Sequence, residues 1–202
     1  MPHLLLFLLT SVAITVAPGP DNLQVLARGM AQGRAAGLVA ALGFASGVLF
    51  HTTLAALGVA ALLRAAPLAF HALKLAGGAY LIWIGWQALR SRGLAAAEAG
   101  EAVPLARIFR QSVLGNMMNP KVTLFFVVFL PQFVDPQRPM APQMILFGVI
   151  FMLQAALVFS VFGLCAGALG TWLRRRPRVG VWLDRLAGAT FVALGLRVAL
   201  TD

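Results

Sequence analysis

Long apolar stretches separated by short basic clusters set the plan of this chain. A helix needs about 20 mostly apolar residues to cross a bilayer core, and six segments approach that pattern. The first runs from about Leu4 to Met30. No Asp, Glu, Lys or Arg falls between Arg34 and Arg64, which gives a second span. Pro67 to Leu89 gives a third, with Lys74 near its start. The fourth opens on the amphipathic lead-in Leu105 to Gln111 and runs to Phe133. A charge-free run between Arg138 and Arg174 makes the fifth. Val181 to Leu200 makes the sixth, with Asp184, Arg185 and Arg197 pressing on its ends. The Ala/Gly/Glu-rich linker from Arg92 to Val103 carries Glu98 and Glu101 and separates three spans from three. The expectation is an all-α membrane protein with one transmembrane domain over 1–202: half one about 1–92, a linker about 92–104, half two about 105–202.

Two of the six spans are interrupted in corresponding places. Pro18-Gly19-Pro20 breaks the first and is followed by Asp21-Asn22. Asn119-Pro120 breaks the fourth and is followed by Lys121. Proline removes a backbone donor and clashes with the preceding turn, so each helix must unwind or kink there. In lipid this is tolerated only where the freed groups face protein or water, the usual setting of a solute or ion pathway. At 1.5 Å per residue each break lies roughly 20 Å along its helix, near mid-membrane. If the two helices start from opposite faces, the breaks meet in the middle, which points to a small-solute transporter.

Charge supports that orientation. Arg28, Arg34, Arg90, Arg92, Arg107, Arg110, Arg174, Arg175, Arg176, Arg178 and Arg185 fall on one side, and Arg64, Lys74, Arg138 and Arg197 on the other. Eleven against four predicts that the first group is cytoplasmic and that both termini lie outside. Three spans per half then make the halves inverted relative to each other, although they show no convincing sequence self-similarity. A composition 60% hydrophobic and 11% charged, with mean hydropathy +0.88, fits lipid as the solvent. The net charge of +10 is absorbed by the cytoplasmic loops. The run Arg174-Arg175-Arg176-Pro177-Arg178 fixes topology and touches anionic lipid, and it is too short to form a nucleic-acid surface. No Lys or Arg precedes the first apolar block and Pro18 follows Ala17, so that block is read as a span and not as a cleaved leader. The single cysteine, Cys165, excludes an internal disulfide or a two-thiol relay.

Few residues can carry chemistry at membrane depth. Two readings stand for Asp21: a cap on the half-helix it opens, or a proton carrier and partner for a substrate ammonium. Asn22 and the free N–H groups of that half-helix suit a substrate carboxylate. Lys121 either anchors a substrate carboxylate, neutralises Asp21 or snorkels to water. Asn116 and Asn119, three apart, are read as one helical face, bonding either substrate or the carbonyls that Pro120 frees. His51, beside Thr52 and Thr53, is a packing residue or a second proton-coupling candidate. Gln154 has a similar status. Pro18, Gly19, Pro20 and Pro120 shape the pathway. Glycines at four-residue steps (Gly29, Gly33, Gly37; Gly43, Gly47; Gly163, Gly167) predict close helix packing within the chain or, as the other reading, a homodimer seam. No metal cluster, Gly-rich phosphate loop or Ser/His/Asp arrangement is visible, so no cofactor and no enzymatic site is expected.

Several of these segments together resemble a known family. Ala17-Pro18-Gly19-Pro20, then Gly33-Arg34-Ala35-Ala36-Gly37-Leu38, is similar to the opening of the LysE/RhtB amino-acid exporter family. Leu73-Lys74 with Gly77-Gly78-Ala79-Tyr80-Leu81 resembles its third-span motif. Phe109 to Gly115, then Asn119-Pro120-Lys121, Phe125-Phe126 and Leu130-Pro131-Gln132-Phe133, resembles its fourth. The resemblance covers essentially the whole chain. It implies six inner-membrane helices and export of amino acids or close derivatives driven by the proton motive force. The family pattern often places Asn directly after Pro-Gly-Pro, whereas Asp21 comes first here, so no role for Asp21 is inherited. Family members differ in substrate from lysine and arginine to threonine, homoserine, leucine and cysteine-like compounds.

The expected function is therefore a secondary exporter of amino acids, neutral ones favoured, working by proton antiport in a bacterial inner membrane. Neutral substrates are favoured because only Asp21, His51 and Lys121 look deeply placed, which leaves a dibasic substrate no second acidic partner. The rivals are a divalent-metal or other small-solute exporter of similar architecture, a membrane electron carrier, and a passive channel.

Overall fold

The computed structural model describes residues 4–17, 19–59, 65–90 and 102–200. Pro18, Arg64 and most of the linker that holds Glu98 and Glu101 lie outside them. Every element among the described residues is helical: α1 (Leu4–Val16), α2 (Pro20–Gln32), α3 (Arg34–Thr53), α4 (Pro67–Arg90), α5 (Leu105–Met117), α6 (Pro120–Leu124), α7 (Met140–Arg175) and α8 (Pro177–Leu200). Wider π-helical turns continue α3 over Leu54–Val59 and α6 over Phe125–Phe129, and a short 3-10 turn, Leu130–Phe133, follows the latter.

Four helices are long and apolar enough to cross a membrane alone. The other two spans are bent pairs. The axes of α1 and α2 differ by 55°, and those of α5 and the Pro120–Phe133 segment by 47°. Both second halves start with proline at the first helical position, where the missing N–H would have had no helical partner. Two boundaries differ from the hydropathy reading. The last helix starts at Pro177, ahead of Val181, because Pro177 initiates it. The fifth span is a 36-residue helix, about 54 Å long against a core of about 30 Å, so it projects well beyond the apolar layer.

Close glycine contacts reveal how the spans run. A side chain at Gly37 would meet the Gly163 carbonyl oxygen at 2.6 Å, and one at Gly148 would meet Thr52, so α3 and α7 are antiparallel. Gly78 abuts Gly195 and Gly85 abuts Gly188, making α4 and α8 antiparallel as well. By contrast, Gly43 lies on Phe109 and Ser112 while Gly47 lies on Val113 and Asn116, so α3 and α5 run parallel. Phe7 packs on Phe147 and Thr15 reaches Gln154, so α1 and α7 also run parallel. The first span is therefore antiparallel to the fourth. Each half lays its second span along the other half's broken span, and the halves are inverted. Most of the glycine steps serve this packing within the chain. Gly33 instead takes φ 84°, a left-handed turn suited to glycine, and joins α2 to α3 without a spacer. Gly167 meets nothing within 4 Å.

Candidate functional site

The inversion makes Pro20-Asp21 and Pro120-Lys121 equivalent positions, each a proline at the start of a half-helix followed by a charge. The charges are opposite, and each reaches across to the other break. The Asp21 carboxylate, 2% exposed, accepts a hydrogen bond from Asn116 Nδ2 at 2.8 Å and another from Asn119 Nδ2 at 2.7 Å. Lys121, 7% exposed, donates from Nζ to the carbonyl oxygens of Ile14 and Ala17, both at 3.2 Å. Those carbonyls are among the groups that the first break frees. Gly19 makes the approach feasible, since a Cβ there would lie 2.8 Å from the ammonium. The ring of Phe191 stands 5.9 Å from the same nitrogen.

The remaining amides knit each break internally. Asn119 caps α6, its Oδ1 accepting the Lys121 backbone N–H at 3.0 Å while its Nδ2 holds Asp21. Asn22 Nδ2 donates to the carbonyls of Thr15, Val16 and Ala17 at 3.0–3.2 Å. His51 Nε2 lies 2.9 Å from the Asn116 carbonyl. A carbonyl oxygen only accepts, so Nε2 carries the hydrogen. On the opposite flank Thr15 donates to Gln154 Oε1 at 3.2 Å. Asn22 Oδ1, Asn116 Oδ1, His51 Nδ1 and Gln154 Nε2 are buried and have no hydrogen-bond partner among the described residues.

Several sequence expectations change here. Asp21 is not the side-chain cap of α2. Gly19 holds that position, and both carboxylate oxygens are engaged by the second half. Asn116 and Asn119 do not share a helical face, because α5 ends at Met117 and Asn119 begins the next element. The break itself swings both amide nitrogens onto Asp21 and not onto the carbonyls that Pro120 frees. Lys121 does not snorkel, and its ammonium goes to backbone carbonyls. Asn22 presents its amide nitrogen to carbonyls, leaving only its oxygen unengaged. Asp184 is a further buried ionisable group, 5% exposed and in contact with a partner, where the sequence placed it at a span end. Thr15 and Phe191 escaped the sequence reading. Thr15 carried a weak signal, a hydroxyl in the turn before the proline break.

Above and below this junction the closure differs. Toward the N-terminal end of α1, Phe7 packs on Phe147 at 4.6 Å and edge-on to Phe133 at 5.4 Å, and Phe125 packs on Phe151 at 5.1 Å, all buried. On the basic side, α2 is joined to α5 and its lead-in by side-chain bridges. Arg28 donates to Gln111 at 3.3 Å, and Gln32 exchanges two hydrogen bonds with the Val103 backbone at 2.9 and 3.2 Å. One face is closed by a buried aromatic layer and the other carries exposed and part-buried polar contacts.

Six spans in two inverted halves, with oppositely charged side chains each bonded across to the other broken helix, define a multi-pass membrane protein of inverted-repeat architecture. The chain belongs to the LysE family: the model of the LysE type translocator matches residues 12–202. It is 37% identical over 201 residues to an uncharacterized membrane protein of Pseudomonas aeruginosa, covering 96% of this chain and 93% of the relative. It is 28% identical over 194 residues to a homoserine/homoserine lactone efflux protein of Salmonella typhimurium, covering 96% and 94%. It is 30% identical over 191 residues to a leucine efflux protein of Enterobacter, covering 92% and 90%. No solved structure matches the chain.

Proposed function

We propose that this protein exports amino acids or close derivatives, neutral ones favoured, across a bacterial inner membrane by proton antiport with alternating access. The observation that carries the reading is the reciprocal brace in which Asp21 and Lys121 each hold the opposite break. An amino acid bears the same two charges as that brace. Its carboxylate replaces the Ile14 and Ala17 carbonyls on Lys121, helped by Asn22 and the N-terminus of α2. Its ammonium replaces the Asn116 and Asn119 amides on Asp21. The unpartnered atoms of Asn22, Asn116, His51 and Gln154 offer further polar contacts around it. Pro18, Gly19, Pro20 and Pro120 keep the breaks open, and Asp21 or His51 carries the proton. The two halves, about 1–92 and 105–202, rock as units of one domain. The polar side, bridged by Arg28 and Gln111, opens to the cytoplasm. The neutral substrates in the names of the efflux relatives support the choice of class.

Counterflow in proteoliposomes tests this reading. Vesicles preloaded with leucine or homoserine should take up labelled substrate against its gradient, and lysine should drive far less uptake. Equal counterflow by divalent cations, or none by any amino acid, would reject the assignment. Topology is tested separately, in a Cys165→Ala background. Arg176→Cys should be protected from an impermeant thiol reagent in intact cells and Pro136→Cys should label. The reverse pattern would invert the proposed orientation, in which both termini lie outside.

A further inference from the structure

The structure also holds a groove on its lipid-facing surface, remote from the two breaks. It lies where the C-terminal end of α4 meets the first turns of α8, has a volume of about 600 Å³, and is walled by Leu89, Val179, Trp182 and Leu186. Trp182 is 71% exposed, so the walls face the surroundings and not the protein core. Arg185 is the one charged residue in the lining among the described residues. It lies eight residues beyond Pro177, about 12 Å or two turns inside a membrane-spanning helix.

Arg185 is exposed and has no hydrogen bond or ion pair with any described residue. Neighbouring arginines are differently placed. Arg90 lies over the Trp86 ring at 4.4 Å, and Arg176 over the Trp172 ring at 5.7 Å. Asp184, adjacent in sequence, is buried and already has a partner. An exposed guanidinium beside an apolar wall, within reach of the headgroup layer, is favoured by an anion that the membrane supplies. Exposed Arg90, Arg176 and Arg178 add positive potential at the same end of the molecule, and the exposed tryptophans mark it as the headgroup level.

We propose that this groove is a binding site for one anionic phospholipid, its acyl chain lying along Leu89, Val179, Trp182 and Leu186 and its phosphate on the Arg185 guanidinium. The guanidinium fork matches phosphate oxygens in a bidentate pair, which a zwitterionic headgroup offers less favourably because its own cation competes. The site sits on the seam where Gly85 and Gly188 touch, so a bound lipid spans the third and sixth helices.

Native mass spectrometry of the intact protein, titrated with phosphatidylglycerol or phosphatidylcholine of matched chains, tests the site. Phosphatidylglycerol should bind more tightly, and Arg185→Gln should weaken it by about fivefold, the size expected of one basic residue at an anionic surface. Arg185→Lys should recover only part of the preference, because it keeps the charge and loses the bidentate fork, and Arg138→Gln, at the other end of the molecule, should leave it unchanged. Ala189 also lines the groove, so Ala189→Phe should fill it and weaken both lipids. An unaltered phosphatidylglycerol preference in Arg185→Gln would overturn the proposal. So would glycerophosphate competing as well as the whole lipid, which would mean an anion site without an acyl-chain groove. The readout does not depend on which solute is transported, so it stands apart from the export reading.

Discussion

Replacing Lys121 by Met should reduce export to background while the protein still inserts and stays folded in detergent. The apolar stem is largely kept, so packing around it survives. What disappears is the ammonium that donates to Ile14 and Ala17 and that receives the substrate carboxylate in the proposed cycle. Removing one partner of a buried, hydrogen-bonded charge contact costs roughly 2–5 kcal/mol. At about 1.4 kcal/mol per tenfold, transport should fall on the order of thirty- to several-thousand-fold. Lys121→Arg should rescue poorly. Gly19 already stands so close that a single added carbon would lie 2.8 Å from the ammonium, and a planar fork needs more room than that. Export is to be measured as loss of preloaded labelled substrate at matched membrane abundance. Near-normal export by the Met variant would move Lys121 from the site to the scaffold.

The parts of this architecture that were legible in the sequence are those set by one-dimensional physics. Proline punctuates a helix wherever it falls, and hydropathy over about 20 residues identifies a span, so both breaks and all six spans could be placed. The basic asymmetry gave the inverted arrangement that the glycine contacts then display. Partners were harder to read. Asn116 and Asn119 are three apart, and a continuous helix would set them on one face. The Pro120 break instead turns them both toward Asp21, far away in the chain. Of the two readings of Asp21, the cap gave way because Gly19 holds the cap position and the amides of Asn116 and Asn119 take both carboxylate oxygens. Glycine spacing announced close packing but not its partner. Only the fold reveals that Gly37 faces Gly163 while Gly33 forms a turn. Closure is also a property of the assembled halves. Phe7, Phe133 and Phe147 read as three ordinary apolar positions until they meet in one aromatic seal.

Replacing Asp21 by Asn should separate coupling from exchange. The change removes the charge and the titratable proton but keeps the shape of the side chain. One oxygen of the new amide can still accept from Asn119, whose own oxygen is tied to the Lys121 backbone and fixes its orientation. The new N–H group would face the Asn116 amide nitrogen, two donors together. Asn116 can resolve this by turning over, because its Oδ1 has no partner and becomes an acceptor once rotated. The brace is therefore kept in neutral form, and the protein should fold. Exchange of substrate across the vesicle membrane should persist at saturating substrate, with a raised KM because the ammonium loses its carboxylate partner. Accumulation driven by an imposed proton gradient should collapse toward equal concentrations on both sides. For comparison, one proton moved down one pH unit is worth about 1.4 kcal/mol, enough for a tenfold solute gradient. The two assays belong on the same proteoliposome preparation, so that a loss of folded protein would lower both together. If the variant still builds the full gradient, Asp21 is part of the brace alone. The proton then travels elsewhere, and His51, bonded through Nε2 to the same Asn116, is the next residue to replace.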